Sequence, residues 1–165
     1  MTSPFVFDEN FSTASLPLHF QTESCAQTEQ FGAALARAYL QGAPLPPYIA
    51  LRGDLGVGKT AFVRGFVSVI APGVIVRSPT FALVNEYRPR PTGTPVFHFD
   101  MYRITDEDDL YSIGYDDYLD RGICIVEWSE NIPYALPDSH LILLIEKTSP
   151  DTPEQRSITL SSANL

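Results

Sequence analysis

Residues 53 to 60 read Gly53-Asp54-Leu55-Gly56-Val57-Gly58-Lys59-Thr60, a match to the phosphate-binding pattern G-x-x-x-x-G-K-[ST]. The ligand explains the residue types. Glycines let successive backbone N–H groups turn inward around phosphate oxygens, and a helix starting at the loop adds its dipole to that attraction. The lysine supplies a charge for the β- and γ-phosphates, and the hydroxyl that follows suits Mg²⁺. On this reading Gly53, Asp54, Leu55, Gly56, Val57 and Gly58 cradle the phosphates, Lys59 pairs with them, and Thr60 offers its oxygen to the metal.

The flanks supply the context the motif requires, a strand before it and a helix after it. Tyr48-Ile-Ala-Leu51 is a continuous apolar run, the pattern of a buried parallel strand. From Thr60 to Ile70 the spacing predicts a helix with Phe62, Val63, Phe66, Val67 and Ile70 inward. Gly65 in its middle costs about 1 kcal/mol in helix propensity, so close packing on a sheet is expected there.

Further out, Ser24-Cys-Ala-Gln27 has the capping-box pattern and opens a helix with Phe31, Leu35 and Ala38 on one face. Gly42 ends it. Phe81 to Arg88 and Thr94 to Tyr102 read as a hairpin around Pro89-Arg-Pro-Thr-Gly93. Thr105 to Gly114 reads as a Thr-capped helix with acids in its first turn, and Tyr115 to Asp120 as a further helical turn. Ile123 to Glu127 is a buried strand; His140 to Lys147 and Ser157 to Leu160 are the last two. Residues 1–17 are expected to be a loose N-terminal extension, with Phe5, Phe7 and Phe11 able to tuck against the body. Residues 18–165 form a single domain.

A nucleotide site also needs a carboxylate for the metal, usually ending a neighbouring apolar strand. Asp100 follows Val-Phe-His-Phe99, and Glu127 follows Ile-Cys-Ile-Val126. The second run is unbroken, as expected of a central strand beside the loop's own, whereas His98 suggests that the first lies less deep. Glu127 is therefore assigned to Mg²⁺, and Asp100 to orienting water or bonding the metal's water shell. If the strand ending at Asp100 runs parallel to the loop's strand, the start of its hairpin partner, Ser78-Pro79-Thr80, lies on the same edge. Thr80 is then placed either to sense the γ-phosphate or to stiffen a turn. Trp128 reads as packing rather than ligand contact, and His98 and Cys124 as structural. The acids Asp106 to Asp109 read as a solvated helix start.

Hydrophobic residues at 44% and charged residues at 19% are ordinary for a globular chain and exclude disorder. Eleven Lys and Arg against twenty Asp and Glu give a net charge of −9, which argues against gripping nucleic acid directly. No apolar run is long enough to span a bilayer, and the amino terminus lacks the basic region of a signal peptide. Cys25 and Cys124 stand apart without metal-ligand spacing, so a reduced, cytoplasmic protein fits.

With these residues in hand, the chain resembles the bacterial TsaE (YjeE) family of small P-loop ATPases from about Phe20 to Leu144. The resemblance rests on Gly53 to Thr60, Ser78-Pro-Thr80, His98-Phe-Asp-Met-Tyr-Arg103, Gly114-Tyr-Asp-Asp-Tyr-Leu119 and Ile125-Val-Glu-Trp128. It implies an α/β fold, a P-loop NTPase-like three-layer sandwich with a mixed central sheet. It also implies a role in forming N6-threonylcarbamoyladenosine at position 37 of tRNAs that read codons beginning with A. It further implies work with the proteins TsaB and TsaD, and the acidic charge balance predicts that the chain meets tRNA only through that complex. By motif, Thr60 and Glu127 would hold Mg²⁺ and Asp100 would serve ATP hydrolysis, with residues near Thr22 to Thr28 close to the nucleotide.

Two other functions share the motif. A small-molecule kinase needs an acceptor pocket and usually a lid with several arginines, whereas the arginines here are scattered. A nucleotide-gated binding module would hydrolyse ATP only incidentally, and slow turnover that rises with partners would set a working ATPase apart. A GTPase would need an N-K-x-D base-reading motif, and none is present; ATP is the nucleotide that the resemblance implies.

Overall fold

Seven strands and four α-helices form among the described residues, 4–163, of the computed structural model. The strands are β1 (Leu18–Thr22), β2 (Tyr48–Arg52), β3 (Val84–Tyr87), β4 (Val96–Asp100), β5 (Ile123–Glu127), β6 (His140–Lys147) and β7 (Arg156–Ala163). The helices are α1 (Cys25–Leu40), α2 (Lys59–Ile70), α3 (Glu107–Ser112) and α4 (Tyr115–Tyr118). All seven strands join one sheet in the order β1-β7-β6-β2-β5-β4-β3. Its centre, β6-β2-β5-β4, is parallel, and β1, β7 and β3 add antiparallel flanks. The sheet is mixed, as the resemblance implies.

Alternation along the central strands sorts their side chains into two cores. Ile49, Leu51, Ile123 and Ile125 pack with Phe31 and Leu35 of α1 and Phe62 and Phe66 of α2. Tyr48, Ala50, Cys124 and Val126 pack on the opposite face with Leu110 of α3 and Tyr115 of α4. Three layers result, the third built from two short helices. Burial pushes the Cys124 thiol up to about 12, in keeping with its structural reading.

Gly65 departs from expectation in what it packs against. A Cβ there would strike the Glu29 carbonyl of α1, and one on Gly32 would strike the Phe62 carbonyl of α2. The glycines serve a close helix–helix crossing rather than contact with the sheet. The amino-terminal segment is not loose over its described part, residues 4–17. Phe7 and Phe11 are buried, and Phe5 sets its ring edge-on to Phe31 at 5.5 Å. These anchors sit on irregular backbone, so no period announces them. Residues 1–3 of the expected extension lie outside the described residues.

Boundaries shift where a turn or cap intervenes. β3 starts at Val84 rather than Phe81, because Leu83 adopts a left-handed φ of 66° and donates its N–H to the Pro79 carbonyl. The cap of α3 is Asp106, which accepts from the Asp109 N–H, while Thr105 donates to the Asp109 carboxylate. No helix among the described residues is long and apolar enough to cross a membrane.

Candidate nucleotide site

The glycine loop joins the carboxyl end of β2 to the amino end of α2. Gly53, Gly56 and Gly58 adopt φ values of 143°, 77° and 108°, conformations that side chains rarely tolerate. At Gly53 a Cβ would also collide with the Ile145 carbonyl of β6. Gly58 caps α2 without a side-chain hydrogen bond, so the helix's first N–H groups keep their donors for a ligand.

Three cavities surround the loop. A cleft of about 330 Å³ is lined by Lys59, Thr60, Ser78, Thr80, Asp100, Glu127 and Trp128, with Leu55, Gly56 and Gly58 at its floor and rim. A recess of about 200 Å³ behind the loop is lined by Cys25, Thr28, Val57, Pro153, Glu154 and Arg156. Gly53 and Asp54 face a third cavity, about 430 Å³, against the end of β6. One cleft thus brings together Lys59, Thr60, Thr80, Asp100 and Glu127, whereas Gly53, Asp54 and Val57 line the neighbouring cavities.

Lys59 is only 6% exposed. Its ammonium donates to the Gly53 carbonyl at 2.6 Å, lies 4.6 Å from the centroid of the Trp128 ring and stands 4.0 Å from Oε1 of Glu127. A carbonyl, a π face and a carboxylate therefore share the buried charge. Asp100 and Glu127 are register partners on adjacent parallel strands, so both carboxylates leave the sheet side by side. Asp100 accepts from the Tyr102 N–H at 2.9 Å, and Glu127 Oε2 contacts His98 Nε2 at 2.9 Å.

The β4 run is not shallower for containing a histidine. All five of its residues are buried, and His98 has no exposed surface because Glu127 satisfies its ring nitrogen. β5 is nonetheless the direct neighbour of β2, and β4 lies one strand further out. Trp128 packs against Tyr102 at 5.0 Å and also lines the cleft. Thr80 likewise belongs both to a turn, with its hydroxyl 2.8 Å from that of Ser78, and to the cleft. The turn is tied to the carboxylate edge, because the Asp100 N–H donates to the Leu83 carbonyl.

Arg156 escapes a motif search. Its Nε donates to the Val57 carbonyl at 2.6 Å, steadying the loop from a residue ninety-nine positions away. No local spacing connects β7 to the loop. Cys25 and Thr28 lie on the recess, in the stretch the resemblance brings near the nucleotide, and Thr28 shares a buried hydroxyl contact with Thr22 at 2.9 Å.

Could this edge take Mg²⁺? The donors present are a hydroxyl and two carboxylates, all oxygen, which suits a hard cation. Among the described residues no cluster of three or more His, Cys, Asp or Glu forms a closed cage.

The family model described as "Threonylcarbamoyl adenosine biosynthesis protein TsaE" matches residues 22–158. The chain is 37% identical over 115 residues to the tRNA threonylcarbamoyladenosine biosynthesis protein TsaE of Bacillus subtilis, covering 69% of this chain and 68% of that one. With the protein of the same name from Haemophilus influenzae it shares 39% over 99 residues, 59% of this chain and 61% of the other. With that of Treponema pallidum it shares 30% over 118 residues, covering 71% and 82%. Among solved structures, the crystal structure of Bacillus subtilis YdiB superposes with a TM-score of 0.69 at 30% identity, covering 90% of this chain and 86% of that one.

Proposed function

The chain belongs to the TsaE family of tRNA threonylcarbamoyladenosine biosynthesis, and on that footing we propose that it is a Mg²⁺-dependent ATPase of this modification. It would act with TsaB and TsaD in forming N6-threonylcarbamoyladenosine at position 37 of tRNAs that read codons beginning with A. The observation that carries the reading is one juxtaposition: the glycine loop and Lys59 face the in-register carboxylates Asp100 and Glu127 across a single cleft.

The roles follow from position. The loop's N–H groups and the start of α2 take the phosphates, and Lys59 exchanges the Gly53 carbonyl for β- and γ-phosphate oxygens. Thr60 and Glu127 would hold the metal, which would supply positive charge against the phosphates when bound. Asp100 accepts a hydrogen bond from the attacking water and sets its line of approach, and Thr80 stands where a γ-phosphate would be sensed. Hydrolysis splits ATP and water into ADP and phosphate without touching the carbamoyl bond.

Turnover is slow for the chain alone and rises with its partners, which complete the water's surroundings. With a net charge of −9, the chain meets tRNA only through them. The setting is cytoplasmic, consistent with two free thiols, Cys25 and Cys124. Equilibrium titration of ATP with Mg²⁺ and with EDTA tests the site, and the fate of labelled γ-phosphate tests the reaction. Phosphate released to water supports hydrolysis; label on a metabolite without any partner protein would make the chain a kinase instead.

A further inference from the structure

His98 sits at the centre of β4 with no exposed surface, and the roles above give it no task. Its Nε2 is 2.9 Å from Oε2 of Glu127, and its Nδ1 has no hydrogen-bond partner. For a neutral imidazole beside an ionised carboxylate, these two facts assign the proton to Nε2. A proton on Nε2 makes the contact a hydrogen bond to the carboxylate, whereas a proton on Nδ1 would set two lone pairs against each other. The ring's surroundings are also fixed: it pairs in register with Ile125 of β5 and lies 6.5 Å from the Tyr87 ring.

The two oxygens of Glu127 are therefore unequal. Oε2 is committed to His98, while Oε1 is the oxygen on the Lys59 side of the cleft. We infer that His98 is a positioning residue that withholds Oε2 of Glu127 and presents Oε1 alone, so that the cleft selects Mg²⁺ over Ca²⁺. This rests on Glu127 being a metal ligand, as proposed above. Mg²⁺ demands near-octahedral geometry at short distances, which the narrow bite of a two-oxygen carboxylate does not fit. Ca²⁺ is larger and readily takes both oxygens. A carboxylate with one oxygen held elsewhere is matched to the smaller ion. Partners that orient a ligand in this way commonly change metal affinity 10–100-fold when removed.

The test uses the full chain and needs no turnover. ATP affinity is measured in Mg²⁺, in Ca²⁺ and in EDTA for the parent, His98→Phe and His98→Gln. The phenylalanine fills the ring's volume without a donor; the glutamine amide places an N–H close to where Nε2 stood. His98→Phe is expected to lose about tenfold or more of the Mg²⁺ enhancement, to keep the Ca²⁺ enhancement and to leave the EDTA value unchanged. His98→Gln should restore the parent's ratio of Mg²⁺ to Ca²⁺ enhancement. General damage would instead lower all three affinities together and leave the ratio alone. An unchanged ratio in His98→Phe overturns the proposal. Should that variant not fold, nitrogen NMR of the parent's metal-free imidazole decides, and a proton found on Nδ1 overturns it. Glu127→Ala separates the premise: if it keeps the full Mg²⁺ enhancement, the metal-ligand reading itself falls.

Discussion

The ammonium of Lys59 rests 4.6 Å from the centroid of the Trp128 ring while donating to the carbonyl of Gly53. The charge is thus held inside the cleft by groups that phosphate oxygens can replace. Binding of Mg²⁺–ATP should draw the ammonium off the ring and change the fluorescence of Trp128, the chain's only tryptophan. Lys59→Ala should abolish that response and weaken ATP by roughly ten- to a hundredfold, since a hydrogen bond to a charged group contributes about 1.5–3 kcal/mol. Circular dichroism should be unaltered. Parent-like ATP affinity in the variant would remove the phosphate role from the loop.

Asp100 and Glu127 separate under substitution if their roles differ. Glu127→Ala should raise the Mg²⁺ concentration needed for tight ATP binding. Asp100→Asn keeps an oxygen for the Tyr102 N–H, so the loop after β4 stays in place while the carboxylate is lost. Its turnover should fall by about 10²-fold or more, the usual contribution of a positioned acid–base group, with little change in ATP affinity. If the Mg²⁺ defect follows Asp100 instead, the two assignments exchange.

Gly65→Ala tests the helix crossing independently of the site. Its methyl group would enter the space of the Glu29 carbonyl, and overpacking of this kind costs about 1–3 kcal/mol. A fall of several degrees in Tm is expected, at about 2–4 °C per kcal/mol for a chain of this size. Thermal unfolding with an unshifted or raised midpoint would show that α1 and α2 are free to part.

Much of this arrangement was legible because it is local. The loop, its strand and its helix are contiguous, so Gly53 to Thr60 and the runs beside it announce themselves. Glu127 ends an unbroken apolar run, and a parallel neighbouring strand carries Asp100 to the same edge. What escaped is non-local or irregular. The bond from His98 to Glu127 depends on register between β4 and β5, and Arg156 reaches Val57 from the far end of the chain. The turn at Leu83 shortens β3 with a φ that no propensity for leucine suggests, while Phe7 and Phe11, expected as able to tuck against the body, are buried from backbone without a period.

The charge balance makes a prediction about RNA. Each cation placed on a phosphate releases counterions, the main source of sequence-independent affinity, and nine arginines and two lysines against twenty acids leave little of that term. The chain alone should show negligible tRNA binding in gel shifts at about 0.1 M salt, where screening extends about 10 Å. Submicromolar binding would restore a direct role with RNA.

Hydrolysis of ATP in this cleft, as one part of a larger assembly, is the proposal on which the other roles depend. Phosphate release is therefore to be measured for the chain alone, with TsaB and TsaD, and with tRNA added, each beside Asp100→Asn. Slow release by the chain alone, a marked rise with TsaB and TsaD, and loss of that rise in the variant are expected. Release that is indifferent to the partners, or a rise that survives Asp100→Asn, would overturn the proposal.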